Sequence, residues 1–216
     1  MNLVPRTLRH TTPNARELLV LLPGAYMTPE DFVAAGFFAA VAQRQLPLDV
    51  TAVAFDLETI SAGQALPALQ QDILEPARGQ GYRRIRLGGI SLGGLLSLCH
   101  VADHPGCVDG LCLLAPYPGS RLTTNAIDRA GGLEAWMPEA GQLDDPEFRM
   151  WRWLQQPPAE FPVFVGYGRE DRFAAGMRRI AERFPETDRL AVAGGHDWPA
   201  WQLLWEHFLD RDDLCR

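Results

Sequence analysis

Short apolar runs, each halted by glycine or proline and followed by a helix-like stretch, recur along this chain and constrain its fold more than any other feature. The first is Glu17–Leu22, ELLVLL, stopped by Pro23-Gly24. A continuous apolar run between breakers reads as a strand buried on both faces, because a half-exposed strand would alternate apolar with polar residues. Residues 50–55, Arg84–Ile90, Gly110–Leu114, 162–167 and 190–192 repeat the pattern. Between them lie helix signals. Thr28-Pro29-Glu30-Asp31 supplies a cap, a first-turn proline and acids for the positive helix end, so a helix is expected through 32–43. Further helices are expected over 62–79 with a bend near Pro67, over 92–101 closed by Pro105-Gly106, over 177–183, and over Trp198–Leu209. Strands alternating with helices at this spacing predict an α/β fold, a three-layer α/β/α sandwich around a mostly parallel sheet. Residues 3–10 are read as an added edge strand.

The 216 residues fit a single domain, 1–216, and 47% of them are hydrophobic. A chain of this length buries roughly 70% of its unfolded surface, enough for a core that needs no staples. The net charge of −7, with no basic run, argues against nucleic acid or an anionic membrane as partner. The amino terminus lacks the apolar stretch of a secretory signal, and no window approaches the ~20 apolar residues of a membrane span. Cys99, Cys107, Cys112 and Cys215 form no CxxC pair, which reads as reduced thiols in a cytoplasmic protein. The sequence sets no oligomeric state.

Residues 117–160 break the rhythm. They contain Gly131-Gly132, Pro157-Pro158 and several tryptophans but no strand signal. A loop this long is unusual unless functional. Two readings stand side by side: a surface insertion whose tryptophans pack onto the domain, or a small cap whose aromatics line an apolar pocket.

The chemistry points to Gly89-Ile90-Ser91-Leu92-Gly93, placed between a predicted strand and a predicted helix. About 0.03 such G-x-S-x-G patterns are expected in a chain of this composition by chance. A sharp strand-to-helix turn strains the backbone at the serine, and side chains at the flanking positions would collide with neighbouring elements. The turn lifts the hydroxyl off the sheet, at the amino end of a helix. A serine hydroxyl needs a base, and His196 follows the last strand in Gly194-Gly195-His196-Asp197. Asp171, in Gly168-Arg169-Glu170-Asp171, leaves the same sheet edge and can orient that base; Glu170 is the alternative. Asp197 adjoins His196 and is expected to cap the last helix. His100 and His104 have a spacing that could hold a metal, but no acid sits beside His100 in the zincin manner, and electrostatics at a helix end accounts for them. Trp198, Trp201 and Trp205 read as the buried stripe of the last helix.

With the order Ser91, Asp171, His196, the elbow and the late Gly-His, the chain resembles the α/β-hydrolase family over about residues 17 to 209, closest to compact carboxylesterases and thioesterases. The resemblance implies an oxyanion hole from the N–H groups of Leu92 and Ala25, with Tyr26 next in line, although Pro23-Gly24 replaces the family's common His-Gly. Tyr26 and Trp136 are the expected substrate contacts. It implies a serine hydrolase cleaving a small-molecule ester or thioester through an acyl-enzyme at Ser91, with no cofactor and no metal. An acyltransferase using the same three residues, or a ligand-binding member that lost the chemistry, are the alternatives.

Overall fold

A computed structural model describes residues 5–214. Seven strands form one sheet: β1 (Arg6–His10), β2 (Glu17–Leu22), β3 (Leu48–Ala54), β4 (Arg84–Ile90), β5 (Gly110–Leu114), β6 (Val163–Gly168) and β7 (Arg189–Val192). Their order is β1-β3-β2-β4-β5-β6-β7, with β1 antiparallel to β3 and every other pair parallel. The continuous apolar runs are the central strands: every residue of β2, β5 and β6 is buried. The expected edge strand over 3–10 is β1, where residues 3 and 4, like Cys215, lie outside the described residues.

The chain leaves β2 for β3 on one side and returns to β4 on the other. This reversal opens a crevice at the carboxyl ends of β2 and β4, which are paired in register from Glu17 opposite Arg84 to Leu22 opposite Gly89. Side chains along one row of the sheet share a face. Gly88, Cys112 and Phe164 form one such row, and Phe164 meets Phe208 of α10 (Trp198–Leu209) with ring centroids 5.7 Å apart. The next row, Gly89, Leu113 and Val165, turns the other way, where Gly89 abuts Gly93 of α6 (Leu92–Asp103). Helices therefore cover both faces, giving the three layers.

Two helical expectations need correction. The helix expected through 32–43 is two: α1 (Pro29–Ala34), opened by the Thr28–Asp31 capping box, and α2 (Phe37–Gln43). Gly36 separates them at φ +82°, a left-handed conformation that no helix interior contains. The segment expected over 62–79 begins earlier, as α3 (Leu57–Ser61), capped by the Asp56 carboxylate on the Thr59 N–H. It then runs through α4 (Ala65–Ala68), a π-helical stretch Leu69–Leu74, and α5 (Glu75–Gly79). Pro67 sits harmlessly in the first turn. The widening lies ahead of Pro76, whose ring lacks an N–H and would clash with a carbonyl one α-turn back.

Segment 117–160 holds no strand. It contributes α7 (Arg121–Arg129), a 3₁₀ turn Ala140–Asp144 and α8 (Pro146–Leu154), with α8 packed on α6. Trp151 is fully buried and donates its Nε1–H to the Pro118 carbonyl (3.0 Å). Arg149 holds both oxygens of Asp103 on α6 at 2.5 and 2.8 Å. The last two helices are α9 (Ala174–Ala181) and α10. Among the described residues no helix is long and apolar enough to cross a membrane.

Candidate active site

Ser91 ends the turn between β4 and α6 with φ 51° and ψ −111°, outside the regions that an L-residue favours. The neighbouring chain holds it there. Its N–H donates to the Leu114 carbonyl (3.1 Å), and its own carbonyl accepts from Leu95 (3.1 Å) and Tyr117 (2.9 Å). The flanking glycines are required by contact. A Cβ on Gly93 would stand 2.0 Å from the Leu22 carbonyl oxygen, and one on Gly89 2.3 Å from the same atom.

Asp171 and His196 arrive from the ends of β6 and β7, on the far side of β5 from the serine strand. Gly168 and Val192 close β6 and β7 in register, and the loops beyond them cross. The Arg169 N–H donates to the Val192 carbonyl (2.8 Å) and Glu170 N–H to the Gly194 carbonyl (3.1 Å). There is no room for a side chain at the crossing, where a Gly168 Cβ would lie 2.2 Å from the Gly194 oxygen.

These elements bring Ser91, His196 and Asp171 together. His196 Nδ1 is 2.6 Å from Asp171 Oδ2, and its Nε2 is 2.9 Å from Ser91 Oγ. A carboxylate can only accept, so Nδ1 carries the proton and Nε2 is left to accept from the Ser91 hydroxyl. The Asp171 side chain is inaccessible to solvent, and its other oxygen accepts from the Phe173 N–H (2.8 Å). Phe173 and Trp201 meet the imidazole edge to face, at centroid distances of 5.4 and 5.2 Å, and fix the ring plane. Neither aromatic has a motif around it; Trp201 was legible only as one of a helical stripe.

The other candidates fall elsewhere. Glu170 is exposed and accepts from the Gly194 N–H (2.5 Å), bracing the loop that carries His196. Asp197 caps α10 through the Ala200 N–H (3.2 Å). The rings of His100 on α6 and His104 at its C-cap lie 4.8 Å apart, tilted by 36°, and among the described residues neither buried ring nitrogen of His100 has a hydrogen-bond partner. Among the described residues no group of three or more His, Cys, Asp or Glu could hold a metal. Cys99, Cys107 and Cys112 are free thiols; burial pushes Cys107 up to about 11 and raises Cys99 and Cys112 well above the ordinary thiol range.

The loop after β2 lies against the nucleophile: a Gly24 Cβ would stand 3.6 Å from the Ser91 Cβ. The Met27 N–H donates to the Gly24 carbonyl (3.1 Å), closing a tight turn with Ala25 and Tyr26 at its corners and Tyr26 at φ +63°. Gly24, Ala25, Tyr26 and Leu92 line a cavity of about 240 Å³, completed by residues from β3 and α3. Tyr26 is 90% exposed at its rim. Trp136 is not brought to this cavity. It is buried on Phe148 of α8 with ring centroids 5.9 Å apart, as part of the hydrophobic core, and Gln155 Nε2 donates to its carbonyl.

The family model described as "Alpha/beta hydrolase family" matches residues 19–216. Solved structures of similar shape include a monoacylglycerol lipase from Paleococcus ferrophilus (16% identity, TM-score 0.59, covering 95% of this chain and 96% of that one). An S-formylglutathione hydrolase from Agrobacterium tumefaciens (15%, 0.61, 97% and 90%) and a thermophilic esterase from Thermogutta terrifontis (15%, 0.60, 95% and 92%) are also similar. At such identities the likeness is one of fold. No curated protein compared with the chain matches it in sequence. The model match across almost the whole chain, together with the three-layer sheet and the serine turn it contains, shows that this chain belongs to the alpha/beta hydrolase family.

Proposed function

We propose that this protein is a serine esterase that hydrolyses a carboxylic ester or thioester of a small molecule through an acyl-enzyme on Ser91. The observation that carries the reading is the unbroken relay from Ser91 Oγ to His196 Nε2 and from Nδ1 to a sequestered Asp171. The esterase and lipase activities named for similarly folded proteins support it.

In the first step Ser91 Oγ forms a bond to the substrate carbonyl carbon while His196 Nε2 takes its proton. Asp171 accepts from Nδ1–H throughout, which holds the ring in the reactive tautomer and stabilises the imidazolium. Negative charge builds on the former carbonyl oxygen. Leu92, the first residue of α6, has an N–H with no carbonyl one turn behind it to bond, and the helix dipole aims positive potential at the same point. The Ala25 N–H is the second donor of this oxyanion hole, at the turn pressed against Ser91. As the adduct collapses, the bond to the leaving group breaks and Nε2–H protonates the departing oxygen or sulfur. Water then attacks the acyl-enzyme, gives its proton to Nε2, and a second collapse frees the acid and returns the proton to Ser91 Oγ. Ser91 and His196 both reach solvent, so water has access to the acyl-enzyme. The three side chains supply nucleophile, base and acid, so the cycle calls for no cofactor.

Hydrolysis of p-nitrophenyl acetate tests this. Ser91→Ala and His196→Ala should each lower kcat by at least about 10³, and the double variant should lose little more, because the residues act as a unit. Independent, small and additive losses would overturn the assignment.

A further inference from the structure

Resting on the esterase reading above, we propose that the substrate carries a medium-length, unbranched acyl chain, lodged in a groove that runs along α6 away from His196. The cavity at the oxyanion loop is continuous in its walls with a second one, of about 480 Å³, because Ile60, Leu92 and Leu96 line both. Leu92, Leu96, Cys99 and Asp103 stand at i, i+4, i+7 and i+11, one face of α6, and all four line this second cavity. α3 and α4 supply the facing wall with Ile60 and Leu66, and α8 closes the far end with Arg149. The groove begins beside the nucleophile, since Leu92 follows Ser91 directly and Gly24 approaches its Cβ.

Its position decides which half of the ester it takes. The leaving atom must stay within reach of His196 Nε2 to be protonated. Neither cavity has a lining residue from the loops that carry Asp171 and His196; the first is walled by the loops after β2 and β3 with α3 and α6, the second by α3, α4, α6 and α8. The leaving group therefore departs past His196, and the acyl group enters the groove.

Its chemistry sets the chain. From Leu92 to Cys99 the α6 wall is apolar over about 10 Å of helix rise. A zigzag of ~1.5 Å bonds advances about 1.25 Å per carbon, so roughly eight carbons fill it. Beyond Cys99 stand Asp103, its partner Arg149 and the carboxylates of Asp144 and Asp145, which an alkyl chain gains nothing by meeting. Polar groups along the chain would lose water against Leu92 and Leu96 without a partner.

The test is kcat/KM for p-nitrophenyl esters from acetate to dodecanoate. Each added methylene should raise it about threefold to fourfold up to octanoate, with no further gain at dodecanoate. Leu96→Trp and Leu66→Trp narrow the groove from opposite walls. Each should cut the octanoate-to-acetate ratio about tenfold or more, while circular dichroism and a cooperative melt report native folding. A wild-type series that is flat from acetate onward, or a ratio unchanged in a folded variant, overturns the groove while leaving the esterase reading standing. The wild-type series decides even where a variant does not fold. If acetate itself is not cleaved and Ser91 does not react with a fluorophosphonate, the esterase reading fails and the groove falls with it.

Discussion

Gly93 on α6 passes so close to β2 that a methyl group on its Cα would meet the Leu22 carbonyl oxygen at 2.0 Å. This contact couples sheet packing to the serine turn, because Leu22 leads into the loop against Ser91 and Gly93 follows Ser91 by two residues. The atom in the way is backbone, so no side-chain rotation relieves it. Gly93→Ala should cost about 1–3 kcal/mol in urea unfolding through overpacking. It should also lower kcat out of proportion, as the turn shifts the hydroxyl.

The two neighbouring acids separate cleanly. Asp171→Asn keeps the shape but allows the amide to donate to Nδ1, leaving the wrong tautomer on Nε2. It should lower kcat by about 10³–10⁴. Glu170→Gln, which only braces the Gly194 N–H from an exposed position, should change kcat less than about threefold. Steady-state kinetics on the pair tests the assignment.

The Ala25 N–H, proposed as the second oxyanion donor, can be deleted with little disturbance. Ala25 occupies the first corner of the Gly24–Met27 turn, and Tyr26 at the next corner has positive φ, the pattern of a type II turn in which proline is favoured at the first corner. Ala25→Pro should therefore keep the turn and remove its N–H. A drop in kcat of about 10²–10³ with little change in melting temperature is expected. An unchanged kcat would move the donor role elsewhere.

His100 makes stability depend on pH. Its ring is fully buried, and burial first, then nearby His104, lower it from 6.5 to about 4, against the opposing pull of Asp103. Between those values the unfolded chain binds the proton and the folded one does not, so stability falls as pH falls from about 6.5 to 4. The loss is on the order of 3 kcal/mol over that interval. His100→Leu should flatten this part of the profile relative to the native chain in urea melts from pH 7.5 to 4.5.

Much of this architecture is legible in the residues because fully buried parallel strands are unusually plain: ELLVLL and GLCLL need no alternation to be recognised. Ser91 was legible because close backbone approach demands glycine at Gly89 and Gly93, and His196 and Asp171 because they follow strand ends. The break at Gly36 was signalled by the glycine alone, inside a run of good helix formers, and the π-helical stretch by a proline that could equally have ended the helix. Trp136 was misplaced because an aromatic in a long irregular segment looks the same from sequence whether it faces a ligand or, as here, Phe148. The groove residues carry no motif; only the i, i+4, i+7 spacing from Leu92 marked them, and any buried helix face shares it.

The most direct measurement is covalent labelling of the folded protein with a fluorophosphonate, followed by mass mapping of the modified peptide. One label per chain on Ser91, lost on unfolding and in His196→Ala, is the result expected of a hydroxyl activated by that imidazole. A label on Ser61, Ser97 or Ser120, or a Ser91 that stays unmodified in the native protein, would contradict the account.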